Sequence, residues 1–96
     1  MLAQSPGTRV SFPYGSMKLI GGPPRGAVVI SKKVAKTAPV RNRIRRRVYA
    51  ILRGAFKTGE GSGSIIVYPN KDALSAPFQE LERSILFALS SRRRGN

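Results

Sequence analysis

The sequence predicts a small α+β domain, a mixed sheet of about four strands with a βαβ crossover and two helices. Three observations carry this. Short β-branched or apolar runs, separated by Gly and Pro clusters, fill residues 9–31 and return at 65–68. Apolar residues recur at helical spacing from Val40 to Phe56. A second helical pattern, Phe78, Leu81, Ile85, Ala88 and Leu89, closes the chain.

The elements follow in order. Residues 1–8, with Pro6 and Gly7, show no periodicity and are expected to be disordered. Residues 9–14 form a short extended piece, interrupted by Pro13 and Gly15. Residues 16–20 read as a strand, and GGPPRG at 21–26 as a turn cluster. Residues 27–31 are the clearest early strand, and their unalternating apolar run predicts a central strand covered on both faces. A basic connection leads to a helix starting near Ala38 or Pro39, with Thr37 as its cap and proline in the first turn. Glycines between 59 and 63 end that helix in a flexible linker. A strand at 65–68 follows, parallel to the strand at 27–31. The last helix starts between Leu74 and Phe78, with Ser75 as a candidate cap. The tail at 91–96 is expected to be disordered, so residues 1–96 make a single domain.

Charge sets the function class. The chain carries 18 Lys and Arg against 4 acids, a net charge of +14. Thirteen of those basic residues precede the first acid, Glu60, so the charge belongs to the body of the domain. Residues 31–47, SKKVAKTAPVRNRIRRR, hold eight of them: Lys32, Lys33, Lys36, Arg41, Arg43, Arg45, Arg46 and Arg47. A solvated helix face normally mixes acids with bases; this one does not. The arrangement is the electrostatic footprint of a nucleic-acid binder. Guanidinium forks suit bidentate phosphate contacts, and Asn42 adds an amide able to meet a base edge or a hydrated metal ion. Asn42, Arg43, Arg46, Arg47 and Arg53 are expected opposite the apolar stripe, with Arg41 and Arg45 near its edge.

Phe12, Tyr14 and Tyr68 lie in the strand-rich part, where exposed rings can stack unpaired bases or simply pack the sheet. Phe56, Phe78 and Phe87 read as core or helix-packing residues. Without Cys or His, and with scattered carboxylates, no nucleophile–base pair or carboxylate metal cage is expected in the chain itself. No apolar run exceeds five residues and no signal peptide is evident, which points to a cytoplasmic protein without a membrane partner.

The segment GAVVISKKVAKTAPVRNRIRRRVYAILR, residues 26–53, resembles the signature of the bacterial ribonuclease P protein subunit. The strand ending in Ser-Lys-Lys-Val, the Lys at 36 and the Arg-Asn-Arg on the long helix carry the resemblance. IIVYP at 65–69 and the closing helix with Glu80, Leu81 and Glu82 extend it over about residues 9–90. The resemblance implies a fold shared with a domain of a small-subunit ribosomal protein, with a left-handed βαβ crossover. General chirality would give a right-handed one in about 98% of cases.

The resemblance further implies a ribonucleoprotein in which a catalytic RNA, using magnesium ions, cleaves the 5′ leader from precursor tRNA. Arg41, Asn42, Arg43, Arg45, Arg46 and Arg47 would face that RNA together with Lys36, with Asn42 near bound metal. Ser31, Lys32, Lys33, Tyr68 and Lys71 would line or flank a leader-binding cleft. Family members begin with a helix that walls this cleft; Pro6, Gly7, Pro13 and Gly15 argue against a full helix here, so that either the cleft is shallower or Phe12 and Tyr14 compensate. The competing readings are a general RNA-binding or ribosome-assembly protein, and a DNA-binding module. The second is disfavoured because the arginines point around much of the helix.

Overall fold

The computed structural model describes residues 7–59 and 63–94, with the side chains of 91–94 left aside. The expected loose start at 1–6, most of the glycine linker at 60–62, and residues 95–96 lie outside the described residues. Seven elements follow one another: β1 (Thr8–Phe12), β2 (Gly15–Ile20), β3 (Arg25–Val28), α1 (Ala38–Thr58), β4 (Ser64–Pro69), a 3-10 turn (Lys71–Leu74) and α2 (Phe78–Arg94). Among the described residues no helix precedes β1.

The strands form one mixed sheet in the order β1-β2-β4-β3. β1 pairs antiparallel with β2, β2 antiparallel with β4, and β3 parallel with β4. The parallel pair closes the expected βαβ unit around α1. Pro13 does not break the first hairpin, because it sits in the turn between β1 and β2. Gly15 has φ +149°, and a Cβ there would collide with the Tyr68 carbonyl oxygen, so glycine lets β2 start tight against β4.

The strand expected at 27–31 is displaced and is not central. β3 runs over Arg25–Val28 and is an edge strand, because β4 inserts between it and β2. The apolar run is continuous for another reason. Val28 points into the core as strand, Val29 is half exposed, and Ile30 turns back to the core from the connection.

Both helices lie on one face of the sheet. The register aligns Val10, Met17, Val67 and Val28 across the strands on that face. Ile44, Val48, Ile51, Leu52 and Ala55 of α1 and Leu81, Ile85, Ala88 and Leu89 of α2 complete the core. Fully burying a side chain such as Ile85 contributes about 1.5–3 kcal/mol. Among the described residues no polar or charged side chain is buried.

α1 starts after Thr37, whose side chain makes no capping hydrogen bond, and stops at Gly59 in the left-handed region at φ 85°. Ser75 closes the 3-10 turn rather than capping α2. Two aromatic placements differ from expectation. Phe78, the first residue of α2, is exposed at the open end of the apolar stripe, and Phe87 falls off the stripe, leaving it 64% exposed. β1 already includes Thr8, and α2 continues to Arg94, through part of the tail expected to be disordered.

Candidate nucleic-acid interface

The sheet's other face is the first part of the site. Alternation along β4 puts Ile65, Val67 and Pro69 in the core and leaves Ser64, Ile66 and Tyr68 on the opposite side. Register places Arg9, Lys18, Ile66 and Ala27 in one row across that face, with Ser11, Ser16 and Tyr68 in the next. Neither helix covers it. The Arg9 guanidinium lies 5.8 Å from the centre of the Tyr68 ring, within cation–π range. The open face therefore combines an aromatic ring with cations and carries no acid.

The second part is the connection after β3. Val29 N–H donates to the Val67 carbonyl, keeping the chain beside β4 for one residue past the strand. The Ser31 carbonyl then accepts the N–H groups of Val34 and Ala35, forming a turn. Ile30 and Ala35 are buried at the two ends of this loop. Ser31, Lys32, Lys33 and Lys36 are exposed between and beside those anchors. The sequence thus builds a basic loop on two apolar feet.

Lys71 follows β4 at the same end of the sheet. Asn70 fixes that corner. Its N–H donates to the Tyr14 carbonyl, its Nδ2 to the Pro13 carbonyl, and its Oδ1 accepts the Asp72 N–H. Tyr14, Tyr68, Lys71 and the Ser31–Lys33 loop consequently gather at one end of the sheet, where α1 also begins. Asn70 escaped the sequence reading; a polar residue directly after the strand-ending Pro69 was the available signal.

Phe12 does not join them on the open face. It shares the core-side register with Val10 and borders a groove of about 370 Å³ with Arg83, Ser84, Phe87 and Ala88 of α2. The expected grouping of Phe12 with Tyr68 fails because the two have opposite parity in the pleat. Tyr14, in the hairpin turn, is half-buried against the core.

The third part is α1. Its arginines divide into two kinds. Arg41 Nη1 donates to the carbonyls of Ala35 (2.9 Å) and Lys36 (3.1 Å), so it braces the basic loop from the first turn of the helix. Arg47 Nη1 donates to the Ala76 carbonyl at 3.1 Å and ties α1 to the segment leading into α2. The expectation that Arg47 lies opposite the packed side is corrected: it is half-buried at the helix–helix boundary. Arg43 and Arg46 are exposed and carry no hydrogen bond or ion pair within the described residues. Arg45 Nη1 donates to Asn42 Oδ1 at 2.9 Å on the helix surface. Only Arg83 and Glu80 form an ion pair among the described residues, 3.7 Å apart and exposed on α2. The charge of α1 is therefore uncompensated within the described chain.

Among the described residues no three of Asp, Glu, His and Cys stand together. Asn42 offers an amide oxygen, and Arg45 already donates to it.

With this geometry in view, the family model described as Ribonuclease P matches residues 7–92. The chain belongs to the ribonuclease P family. The ribonuclease P protein component of a Cyanothece species is 35% identical over 68 residues, covering 71% of this chain and 52% of that protein. The chain thus spans about half the length of that curated relative. Two solved ribonuclease P proteins share the fold. That of Thermotoga maritima is 23% identical with a TM-score of 0.71, covering 86% of this chain and 81% of its own. That of Staphylococcus aureus is 21% identical with a TM-score of 0.67, covering 88% and 79%. In the Arg-Asn-Arg helix and the Ser-Lys-Lys loop before it, Arg41 and Arg45 are engaged by hydrogen bonds while Arg43 and Arg46 remain available.

Proposed function

We propose that the chain is the protein component of a ribonuclease P ribonucleoprotein, assisting magnesium-dependent removal of 5′ leaders from precursor tRNA. The observation that carries this most directly is the acid-free arginine surface of α1, with Arg43 and Arg46 exposed and without partners among the described residues, set beside the open, basic face of the sheet, in a chain of this family.

The division of labour follows from exposure. Arg43 and Arg46 offer whole guanidinium groups to the phosphates of the catalytic RNA, joined by Asn42, Arg45 and Lys36. Arg41 and Arg47 hold the helix in place and contribute their remaining N–H groups. Ser31, Lys32, Lys33, Tyr68 and Lys71 receive the single-stranded leader at the end of the sheet, with Arg9 beside Tyr68. Tyr14 supports that corner. A flexible strand fits such a surface because stacking on a ring and contacts to phosphates need no fixed duplex geometry.

Magnesium belongs to the RNA in this reading. It supplies the hydrolytic chemistry there, and the protein's cations hold RNA segments whose mutual repulsion otherwise demands more of the ion.

The test is cleavage of a precursor tRNA by a bacterial ribonuclease P RNA at low magnesium, with and without this protein. Restored cleavage at the mature 5′ end is expected. Binding without stimulation would confine the role to the scaffold RNA. Neither binding nor stimulation would replace the proposal with a general RNA-binding role.

A further inference from the structure

The RNA surface of α1 does not end with the Arg-Asn-Arg segment. Asn42, Arg45, Tyr49, Arg53 and Phe56 follow at intervals of three or four residues and share one side of the helix. From Asn42 to Phe56 this stripe extends about 21 Å at the helical rise. Tyr49 and Phe56 are half-buried, and Arg53 is exposed beside them.

These three residues border a shallow recess of about 170 Å³ where α1 meets the edge strand β3, completed by Leu52 and Gly26. A Cβ on Gly26 would stand 2.9 Å from Leu52 Cδ1, so the absence of a side chain lets strand and helix approach closely under the recess. Arg25, exposed on β3, adds a second cation next to Gly26.

We propose that this recess captures one unstacked nucleobase of a single-stranded RNA segment, with Arg53 and Arg46 holding the neighbouring phosphates. The inference rests on the RNA-binding role above and extends it along α1 past the Arg-Asn-Arg segment, to Phe56. Two aromatic side chains give the ring apolar partners, and the flanking cations match a polyanion. No acid stands among residues 7–59, so nothing there repels the backbone. A base inside a duplex is already stacked, whereas one in a loop or bulge can be splayed out to enter a shallow recess. This makes Tyr49 and Phe56 binding residues as well as packing residues.

The experiment titrates the isotope-labelled full chain with a ten-nucleotide oligoadenylate and, separately, with inorganic polyphosphate, reading ring and guanidinium resonances residue by residue. The Tyr49 and Phe56 rings should shift with the oligonucleotide and stay still with polyphosphate, while Arg43 and Arg46 respond to both. Tyr49→Ala should weaken the oligonucleotide titration read at Phe56 about tenfold, the loss of one stacking partner. Tyr49→Phe should retain it. Rings that stay still while the arginines shift would overturn the proposal, as would unchanged affinity in a folded Tyr49→Ala. If that variant fails to fold, the wild-type ring shifts decide. The precursor-tRNA assay is a separate reading. Stimulated cleavage with silent rings sinks the recess alone, and shifted rings with neither binding to the ribonuclease P RNA nor stimulation leave the recess standing while the ribonuclease P role falls.

Discussion

The guanidinium of Arg47 reaches the carbonyl oxygen of Ala76, 3.1 Å away and 29 positions along the chain. A residue from the most basic run of the sequence thus serves as a strut between α1 and the segment leading into α2. Arg41 does the same for the basic loop, at closer range in sequence. Membership of a cationic cluster does not by itself make an arginine an RNA ligand.

Arg47→Ala is accordingly expected to lower stability by about 1–2 kcal/mol, the loss of a hydrogen bond from a charged donor. Arg43→Ala should leave stability unchanged within about 0.5 kcal/mol, as for an exposed side chain without a partner. Urea denaturation of both variants checks the contrast; equal midpoints would mean that the Arg47–Ala76 hydrogen bond contributes nothing.

For RNA affinity the order reverses. Arg43→Ala and Arg46→Ala should each weaken binding and flatten its dependence on salt, by about 0.7–0.9 in logarithmic slope for each phosphate left without its cation. Binding isotherms at several salt concentrations measure this. An unaltered slope in both variants would remove the exposed face of α1 from the interface.

Tyr68 and Phe12 separate the two faces of the sheet. Tyr68→Ala should reduce the preference for precursor tRNA carrying a leader over mature tRNA, at a stacking energy of about 1–3 kcal/mol. Phe12→Leu, on the helix-facing side, should keep that preference. Competition binding with the two tRNAs reads both. Loss of preference in Phe12→Leu but not in Tyr68→Ala would move the leader from the open face to the helix-facing side of the sheet.

With 18 basic residues against 4 acids, the free protein folds against its own repulsion. Sulfate or phosphate should raise its melting temperature more than chloride at matched ionic strength, because bound anions favour the folded state by mass action. Identical melting temperatures in the three salts would show that no structured anion site exists.

Much of this was readable in one dimension. The apolar spacing from Val40 to Phe56 marked α1, and Thr37, Pro39 and the glycine at 59 marked its limits. The strand at 16–20 differs from β2 by one residue. What escaped depended on distant partners. β3 looked central because nothing local reveals that β4 inserts beside it, or that Ile30 serves the core from outside the strand. Phe12 looked equivalent to Tyr68 until strand register gave the two opposite parity. The basic run was visible as charge, but Arg41, Arg45 and Arg47 differ from Arg43 and Arg46 only through where their acceptors stand.

The interior of the described chain holds no polar or charged side chain. Apart from the Arg41 and Arg47 struts and the half-buried rings of Tyr49 and Phe56, cohesion and recognition are therefore written in different residues. A descendant could trade its surface cations, change the nucleic acid it holds, or lose that affinity altogether, and the sheet and helices would still assemble. In such a lineage, kinship of shape outlasts kinship of task.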